Sequence, residues 1–273
     1  MKFTIFGASG FIGSNLAEHF KKEKIDFSVP DIRKEDILNN SLGHVIYSIG
    51  VSDFLQRPYD AVEAHVCILR KLLQYGKFDS LLYISSGRIY YNGTSTNEED
   101  SLIINPLQTS DLYNISKVMG ESLCVASRHE NIRIVRPSNV TGNNITSNLF
   151  IPSILRDAVD KKIITLHSTL DSEKDYVYID DVITILPKIA LHGKHKVYNL
   201  AFGKNITNKE IVEEISRVTN CKVQITSDAK RFSYPNISIT RIQNEFGYKP
   251  VSIIPKLEKM IASYKNSKNN SCK

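Results

Sequence analysis

Cysteine is scarce in this sequence, and its spacing excludes the usual cysteine-based architectures. The 273 residues contain four cysteines, which are far apart and form no CxxC pair: Cys67, Cys124, Cys221 and Cys272. Zinc ribbons and disulfide scaffolds need closely or regularly spaced cysteines. We therefore expect reduced thiols in a cytoplasmic protein. His192 and His195 have no carboxylate or cysteine ligand beside them, so we expect a loop there and no metal site.

Long apolar runs are also missing. No stretch approaches the ~18 apolar residues that a membrane span requires, and residues 1 to 6 enter a strand pattern without a basic leader. We therefore expect a cytoplasmic protein without a membrane partner. The hydrophobic fraction of 41% is enough for a large core, either in one domain or in a main domain with a smaller one attached.

Acidic residues are outnumbered, 29 against 35 basic ones, which gives a formal net charge of +6. The segment from Lys249 to Lys273 holds six lysines and one acid, Glu258, and so carries five of these charges. The excess belongs to one helix and a polar tail, which we expect to be flexible over residues 265 to 273. Because the rest of the chain is nearly neutral, we expect no nucleic-acid partner.

Apolar runs and helical stretches alternate along the first half of the chain. The pattern predicts strands at residues 2 to 6, 27 to 29, 44 to 49, 80 to 85 and 132 to 135, and helices at 11 to 22, 60 to 75 and 112 to 126. Strands separated by helices of this length imply right-handed crossovers and a parallel sheet that is covered on both faces. The predicted fold class is therefore α/β, with a Rossmann-type doubly wound sheet.

The alternation weakens after Pro137. We assign residues 1 to 137 and about 176 to 206 to a dinucleotide-binding domain, and about 138 to 175 and 207 to 264 to a smaller C-terminal substrate lobe. A short strand at residues 197 to 200 is expected to return to the main sheet.

A glycine-rich loop follows the first strand and opens the first helix. Glycines here allow a tight turn, a close approach of backbone N–H groups to a pyrophosphate, and close packing of helix on strand. The helix N-terminus also attracts the anion. The sequence therefore predicts that this loop binds a dinucleotide through Gly7, Ser9, Gly10, Phe11, Ile12 and Gly13.

Tyr113 and Lys117 are four residues apart on a predicted helix and so share one face. A nearby ammonium lowers the pKa of a phenol from about 10, which predicts that Tyr113 exchanges a proton near neutral pH. Tyr264 and Lys268 repeat the spacing. Only the first pair follows a strand with Ser86 directly after it, and the Ser86 hydroxyl would also hold a substrate oxygen.

The Gly-x-x-Gly-Phe-Ile-Gly string resembles the extended short-chain dehydrogenase/reductase family, also called the NAD-dependent epimerase/dehydratase family. Further similar segments are distributed along most of the length of the chain, at residues 83 to 90, 135 to 142, 174 to 182 and 247 to 250. The resemblance implies that Ser86, Tyr113 and Lys117 form the catalytic group, with Tyr113 exchanging a proton while a nicotinamide exchanges a hydride. It also implies that Lys117 binds the nicotinamide ribose.

The choice between NAD and NADP stays open at the end of the second strand. Asp31 is placed to accept from an adenosine ribose hydroxyl, which favours NAD, whereas Arg33 is placed to pair with a 2′-phosphate, which favours NADP. In a third interpretation, Asp31, Ile32 and Arg33 resemble a family string that contacts the adenine one strand later. The chain would then have compressed a strand and a helix between Val29 and His44.

Many members of this family act on nucleotide-activated sugars, and their second lobe binds the diphosphate with cations. The resemblance implies substrate contacts for Ser86 and Asn139, and cationic contacts for Lys174 and Arg231. Asn148, from the same lobe, is a further candidate. Read as residues alone, Lys174 is equally typical of a solvated surface charge, whereas for Arg231 this is the weaker of the two interpretations.

Departures from the family pattern narrow the reaction. Gly87 and Arg88 stand where sugar dehydratases carry an acidic pair and where some epimerases use a cysteine. Two reactions remain: reduction of a 4-keto nucleotide sugar, or C4 epimerisation with a retained NAD. His65 stands where the family has an asparagine near the nicotinamide. A non-catalytic dinucleotide-binding regulator is the alternative of another class. The resemblance also implies a homodimer through the helices at 60 to 75 and 112 to 126.

Overall fold

The computed structural model describes residues 1 to 143 and 145 to 271. Cys272 and Lys273, at the end of the predicted basic tail, lie outside the described residues. The strands are Phe3–Phe6 (β1), Phe27–Ser28 (β2), His44–Tyr47 (β3), Ser80–Ile84 (β4), Ile132–Pro137 (β5), Asn139–Thr141 (β6), Ile163–Ser168 (β7), Glu173–Lys174 (β8), Tyr176–Tyr178 (β9), Val197–Leu200 (β10), Ile206–Thr207 (β11) and Lys222–Lys230 (β12). The α-helices are Phe11–Lys22 (α1), Pro58–Val62 (α2), Ile68–Tyr75 (α3), Leu112–Ala126 (α4), Phe150–Asp160 (α5), Ile179–His192 (α6), Asn208–Thr219 (α7), Thr240–Phe246 (α8) and Ile254–Ser271 (α9).

The main sheet has six strands in the order β10-β5-β4-β3-β1-β2, and every neighbouring pair is parallel. β1 and β4 are buried along their whole length, which explains why their sequences are mostly apolar rather than regularly alternating. The predicted α/β fold with a doubly wound parallel sheet is confirmed. The predicted return of residues 197 to 200 to this sheet is confirmed by the pairing of β10 with β5.

Two hydrophobic cores cover the two faces of the sheet. On one face, α1 contributes Leu16 and Phe20, which pack with residues of α6. On the other face, α3 contributes Leu69 and Leu72, which pack with Cys124 of α4. The apolar spacing of three to four residues in each helix turns one stripe toward the sheet. Helices on both faces leave the carboxyl ends of the strands free to form a site.

The connection from β2 to β3 is shortened. Between Ser28 and His44 the described chain forms no strand, and it contains only a 3₁₀ turn at Glu35–Asn39. A short connection is what the third cofactor interpretation expects, while the contact of Asp31, Ile32 and Arg33 with an adenine stays a prediction. β1 lies between β2 and β3, so the strand order reverses at β1. In open α/β sheets, ligands bind at such a switch point, beside the carboxyl ends of the strands.

The chain after β5 forms smaller sheets. β6 pairs with β9, β7 with β12, and β8 with β11. α7 begins with a capping box in which Thr207 and Glu210 each bond the other's backbone N–H, and it packs against α5 and α9. These elements place Tyr234 opposite the carboxyl edge of the main sheet, where it lines a pocket with residues that follow β4 and β5. Lys174 of β8 lies beside this pocket, with its Nζ 5.7 Å from the centre of the Tyr234 ring.

Two local predictions differ from the structure. The helix expected at 60 to 75 begins at Pro58 and contains a π-helical turn at Glu63–Cys67, which the apolar spacing could not reveal. Residues 265 to 271 continue α9 rather than forming a separate flexible tail. Lys268 Nζ lies 2.8 Å from Asp160 Oδ1, so one of the positive charges that the sequence analysis assigns to the tail contacts the end of α5. Among the helices described, none combines the length and apolar character needed to cross a bilayer.

Candidate active site

The carboxyl ends of the parallel strands gather the predicted site residues at one edge of the sheet. β1 ends directly before Gly7, β4 ends two residues before Ser86, and β5 ends two residues before Asn139. Because parallel strands all end at the same edge, residues remote in sequence become neighbours. The helix α4 brings Tyr113 and Lys117 to this edge. Lys117 Nζ bonds the carbonyl of Ile84, the last residue of β4, and Tyr113 lies beside Ser86.

The glycine loop is shaped by contacts that leave no room for side chains. Gly7 has φ +91, and a Cβ there would lie 2.7 Å from Ile49 N. A Cβ on Gly13 would collide with the Gly7 carbonyl and lie 2.7 Å from Ser48 Oγ. The loop therefore needs glycine both for its left-handed turn and for the close packing of α1 on β1.

The start of α1 keeps backbone donors available. Gly10 caps the helix without a side-chain acceptor, and in the described part of the chain the N–H groups of Phe11 and Ile12 have no protein partner. Beside them lies a cleft of about 690 Å³, whose lining includes Gly7, Ala8, Ser9, Asp31, Ile32, Arg33, Ile49, Gly50 and Val51. Free N–H groups at a helix N-terminus attract phosphate, so the cleft fits the pyrophosphate and adenosine of a dinucleotide.

Asp31 and Arg33 form a bidentate ion pair at the far end of this cleft. Arg33 Nε lies 2.8 Å from Asp31 Oδ1, and Nη2 lies 3.0 Å from Oδ2. Hydrogen bonds from Arg33 hold the pKa of the Asp31 carboxyl below its usual range. Both groups face the same space, so a ribose hydroxyl and a 2′-phosphate would each meet a suitable partner.

Tyr113 lies beside Ser86 at the carboxyl edge of the sheet. Ser86 Oγ also accepts the Arg88 N–H at 3.2 Å, which fixes the serine side chain. The Tyr113 ring packs against the Phe54 ring, with centroids 5.1 Å apart. Burial raises the pKa of Tyr113, while the nearby Ser86 hydroxyl and the positive charge of Arg88 act in the opposite direction.

Lys117 does not act on Tyr113 as the sequence predicted. Its Nζ donates a 2.9 Å hydrogen bond to the Ile84 carbonyl and lies 5.9 Å from the centre of the Tyr113 ring. Burial lowers the pKa of Lys117 to about 7, against the opposing charge of Glu121. The predicted lowering of the Tyr113 pKa is therefore wrong for this structure, because burial of the phenol outweighs the neighbouring cations.

His65 lies beneath Tyr113 and is fully buried. The two rings meet edge to face, with centroids 5.4 Å apart. Burial lowers the pKa of His65 to about 2, and the charge of Lys117 acts in the same direction. The imidazole is therefore neutral near the predicted nicotinamide position, where the sequence has histidine in place of the family's asparagine.

A second pocket continues from Ser86 toward the smaller lobe. Its lining includes Ser86, Gly87, Arg88, Ser138, Asn139, Asp175, Tyr234 and Ile237. Asn139 Nδ2 donates to the Asp175 carbonyl at 2.8 Å. Lys174 Nζ lies 4.5 Å from the Phe232 ring centre, and burial together with the charge of Arg88 lowers the pKa of Lys174 to about 8. Ser86, Asn139 and Lys174 are thus brought to one region.

Two predicted substrate residues are not brought there. The Arg231 side chain is 62% exposed and pairs with Asp171 at 2.8 Å. Asn148 is exposed and accepts from Arg156 Nη2 at 3.4 Å. Neither lines the pocket, because each already has a partner at the surface. The cation that does line it is Arg88, which the sequence reasoning used only as evidence that an acid was missing. Its position two residues after Ser86 was the available signal.

Comparisons with known proteins agree with this geometry. The profile of the NAD dependent epimerase/dehydratase family matches residues 3 to 201. The chain is 25% identical over 216 residues to dTDP-4-dehydro-6-deoxyglucose reductase of Escherichia coli, which is 74% of this chain and 66% of that protein, slightly less than two thirds of its length. It is 22% identical over 308 residues to UDP-glucose 4-epimerase of Lactobacillus helveticus, 92% of each.

Among solved structures, RMD from Pseudomonas aeruginosa, complexed with NADPH, superposes with a TM-score of 0.82. The match covers 97% of this chain and 99% of RMD, at 22% identity. A likeness at this level of identity establishes a shared fold.

Proposed function

This chain belongs to the NAD dependent epimerase/dehydratase family, and we propose that it is an NAD(P)-dependent oxidoreductase that reduces a 4-keto group on a nucleotide-activated sugar. The observation that carries the proposal is the placement of Tyr113 beside Ser86 at the carboxyl edge of the sheet, between the glycine loop and the pocket of the smaller lobe. Two adjacent hydroxyls are what a carbonyl oxygen needs when it becomes an alkoxide.

In this proposal the chain binds the cofactor and supplies the proton. The N–H groups at the start of α1 would hold the pyrophosphate of a dinucleotide, and Asp31 or Arg33 would bind its adenosine ribose. A bound reduced nicotinamide supplies the hydride. Ser86 donates a hydrogen bond to the substrate oxygen, and Tyr113 Oη transfers its proton to the same oxygen. The C–O double bond becomes a C–OH group, and the phenol is left as a phenolate.

The carboxylate inventory of the pocket favours reduction over dehydration. Dehydration needs an acid and a base beside the sugar, and Asp175 is the single carboxylate among the described residues that line the pocket. Its Oδ1 accepts the Phe202 N–H at 2.9 Å and its Oδ2 accepts the Gly203 N–H at 2.7 Å. These bonds commit Asp175 to holding the backbone of the loop after β10, so it is a poor candidate for proton transfer.

C4 epimerisation with a retained NAD is the second candidate, favoured by the match that spans 92% of both chains. The same Tyr113 and Ser86 would serve oxidation and re-reduction at one carbon. The purified protein distinguishes the two. We expect it to carry no stoichiometric dinucleotide and to oxidise NADPH or NADH in proportion to added 4-keto nucleotide sugar. Tightly bound NAD, with C4 epimers interconverting without added cofactor, would instead identify an epimerase.

We also propose that the protein is a homodimer. α2 and α4 expose apolar side chains on neighbouring surfaces: Tyr59, Val62, Met119 and Val125. Apolar patches of this kind mark association surfaces. Met119→Glu is expected to convert a dimer into a monomer in light scattering, whereas a wild type that is already monomeric would contradict the proposal.

A further inference from the structure

The pocket beside Ser86 contains an arginine with an unused donor. Arg88 lines this pocket together with Ser86, Asn139 and Asp175. Within the described chain, Arg88 Nη1 is buried and has no hydrogen-bond partner, and Nη2 donates to the Ser110 carbonyl at 3.3 Å. A buried donor without an acceptor costs free energy, which a ligand that supplies the acceptor would recover.

The carboxylate in the lining of this pocket does not supply that acceptor. Asp175 Oδ1 accepts the Phe202 N–H at 2.9 Å, and Oδ2 accepts the Gly203 N–H at 2.7 Å. Both oxygens are therefore bonded to the loop after β10. A guanidinium stays protonated throughout the pH range in which proteins fold. The pocket thus keeps a positive charge that suits an anionic group of a ligand.

The guanidinium of Arg88 lies on the catalytic side of the pocket. Its central carbon is 5.6 Å from the centre of the Phe54 ring, and that ring packs against the Tyr113 ring with centroids 5.1 Å apart. Ser110, which accepts from Nη2, precedes Tyr113 by three residues at the start of α4. The backbone N–H of Arg88 donates to Ser86 Oγ at 3.2 Å. These contacts all belong to the main domain, around the predicted position of the reacting carbon.

A second cation reaches the pocket from the smaller lobe. Lys174 Nζ, on β8, lies 4.5 Å from the centre of the Phe232 ring and 5.7 Å from the centre of the Tyr234 ring, and Tyr234 lines the pocket. The family resemblance assigns the substrate diphosphate to cations of this lobe, so Lys174 is placed for the diphosphate. Arg88, on the side of the main domain, is placed for the sugar. The two cations therefore fit two separate anionic groups.

We propose that Arg88 determines substrate specificity by binding an anionic substituent of the sugar itself, so that the substrate is a nucleotide sugar whose ring carries a carboxylate or a similar group. This inference rests on the proposed function, since Ser86 has to hold the reacting oxygen for the sugar to lie beside Arg88. The two residues are two positions apart, with Cα atoms within about 7 Å, so the charged group is expected on a carbon close to the reacting one. A planar guanidinium matches a carboxylate in both shape and charge.

Binding of paired nucleotide sugars tests this specificity without turnover. The pairs are UDP-glucuronate with UDP-glucose and GDP-mannuronate with GDP-mannose, whose members differ only in a carboxylate or a hydroxymethyl group on C5. Affinities are measured by calorimetry on protein saturated with NADPH or NADH, so that no hydride acceptor is present. We expect the wild type to bind the acid of a pair at least about tenfold more tightly than the neutral sugar. Arg88→Met should lose this preference by weakening the acid alone.

Two further variants are measured in the same way. Arg88→Lys keeps the charge without the planar fork and should retain part of the preference. Arg70→Met removes an exposed arginine on α3 and should retain all of it. If Arg88→Met weakens both members of a pair equally, Arg88 binds the diphosphate or supports the fold of the pocket, and the inference is overturned. A wild type that does not prefer the acid in either pair, or that binds neither pair, overturns it as well.

The outcomes for this specificity and for the proposed function can be told apart. A preference for the acid that depends on Arg88, in a protein that reduces no 4-keto nucleotide sugar, would support the role of Arg88 and defeat 4-keto reduction. Reduction of a neutral 4-keto nucleotide sugar, together with equal affinities for the two members of each pair, would support the proposed function and overturn the role of Arg88.

Discussion

His65 Nδ1 and Ser116 Oγ lie 2.8 Å apart in the buried layer beneath Tyr113. His65 Nε2 accepts the Val51 N–H at 3.3 Å, so Nδ1 must carry the proton and donate to the serine. Ser116 Oγ then donates to the Tyr113 carbonyl at 2.9 Å. One neutral imidazole therefore connects the loop after β3 to the first turn of α4, and thus holds Tyr113 relative to the dinucleotide cleft.

Replacing His65 should make the protein less sensitive to acid. The pKa of His65 is about 2 in the folded chain and 6.5 in a reference histidine, so the unfolded chain takes up a proton first as pH falls. The stability due to neutral His65 is present above pH 6.5 and is lost below it, by about 1.4 kcal/mol per pH unit. In urea unfolding at pH 6.5 and below, His65→Asn should lose less stability than wild type. His192→Asn, at the exposed end of α6, is the control, and parallel losses in both variants and wild type would contradict the assignment.

Lys117 should affect the stability of the protein at the alkaline end of the pH range. Its pKa is about 7 in the folded chain against 10.5 in a reference lysine, so between these values the unfolded chain holds a proton that the folded chain has released. Stability from this residue therefore rises with pH through that window. Against Lys117→Met, wild type should gain stability as pH rises from 7 to 10, as measured by urea unfolding. Lys71→Met, exposed on α3, should follow wild type, and a pH-independent difference for Lys117→Met would contradict the lowered pKa.

Removing the Tyr113 hydroxyl should cost turnover and spare cofactor binding. General acid catalysis contributes about 10² to 10⁴-fold, so Tyr113→Phe should lower kcat by that factor with little change in the affinity for NADPH or NADH. Tyr264→Phe is a matched control, since Tyr264 and Lys268 have the same spacing but bond Asp160 at the surface. Retained turnover in Tyr113→Phe would remove the catalytic assignment and favour a dinucleotide-binding regulator.

The sequence correctly predicts the helices and strands whose local pattern agrees with their role in the folded protein. The bounds of α1 and α4 were predicted without error, because each has a continuous apolar stripe. The sequence does not predict properties that depend on contacts between residues far apart in the chain. The pKa of Tyr113 depends on how deeply the phenol is buried and on whether Lys117 bonds the Ile84 carbonyl at the end of β4. The spacing of Tyr113 and Lys117 in the sequence reveals neither. The substrate contacts predicted for Arg231 and Asn148 are not supported. Each residue has a surface partner, Asp171 and Arg156 respectively, which only the folded structure reveals.

A side chain on Gly13 should damage both the fold and the cofactor site. The added Cβ of Gly13→Ala would meet the Gly7 carbonyl and Ser48 Oγ, so α1 must move away from β1. Overpacking of this kind costs about 1–3 kcal/mol, and the same movement displaces the N–H groups that hold the pyrophosphate. Thermal unfolding and NADPH titration should both reveal it. Gly93→Ala, whose Cβ would find its nearest atoms at 3.4 and 3.5 Å, should leave both unchanged.

The buried ion pair between Glu121 and Arg136 joins the back of α4 to β5. Arg136 donates to both carboxylate oxygens of Glu121, at 3.0 and 2.6 Å, and the side chains are only 6% and 8% exposed. Arg136 Nη1 also donates to Tyr90 Oη at 2.6 Å. The pair therefore connects the catalytic helix to the turn that carries Arg88.

Neutralising one member of this pair should cost far more than neutralising a surface pair. Glu121→Gln leaves a buried guanidinium without its counter-ion, which costs about 3–5 kcal/mol, whereas Glu214→Gln, beside the exposed Arg217, should cost about 1 kcal/mol or less. Replacing both partners, as Glu121→Gln/Arg136→Met, should recover part of the loss, because no unpaired charge remains. Urea unfolding of the wild type, of the single variants Glu121→Gln and Arg136→Met, and of the double variant completes a double-mutant cycle that measures the coupling. Additive losses at Glu121 and Arg136 would show that the two charges act independently, contrary to their geometry.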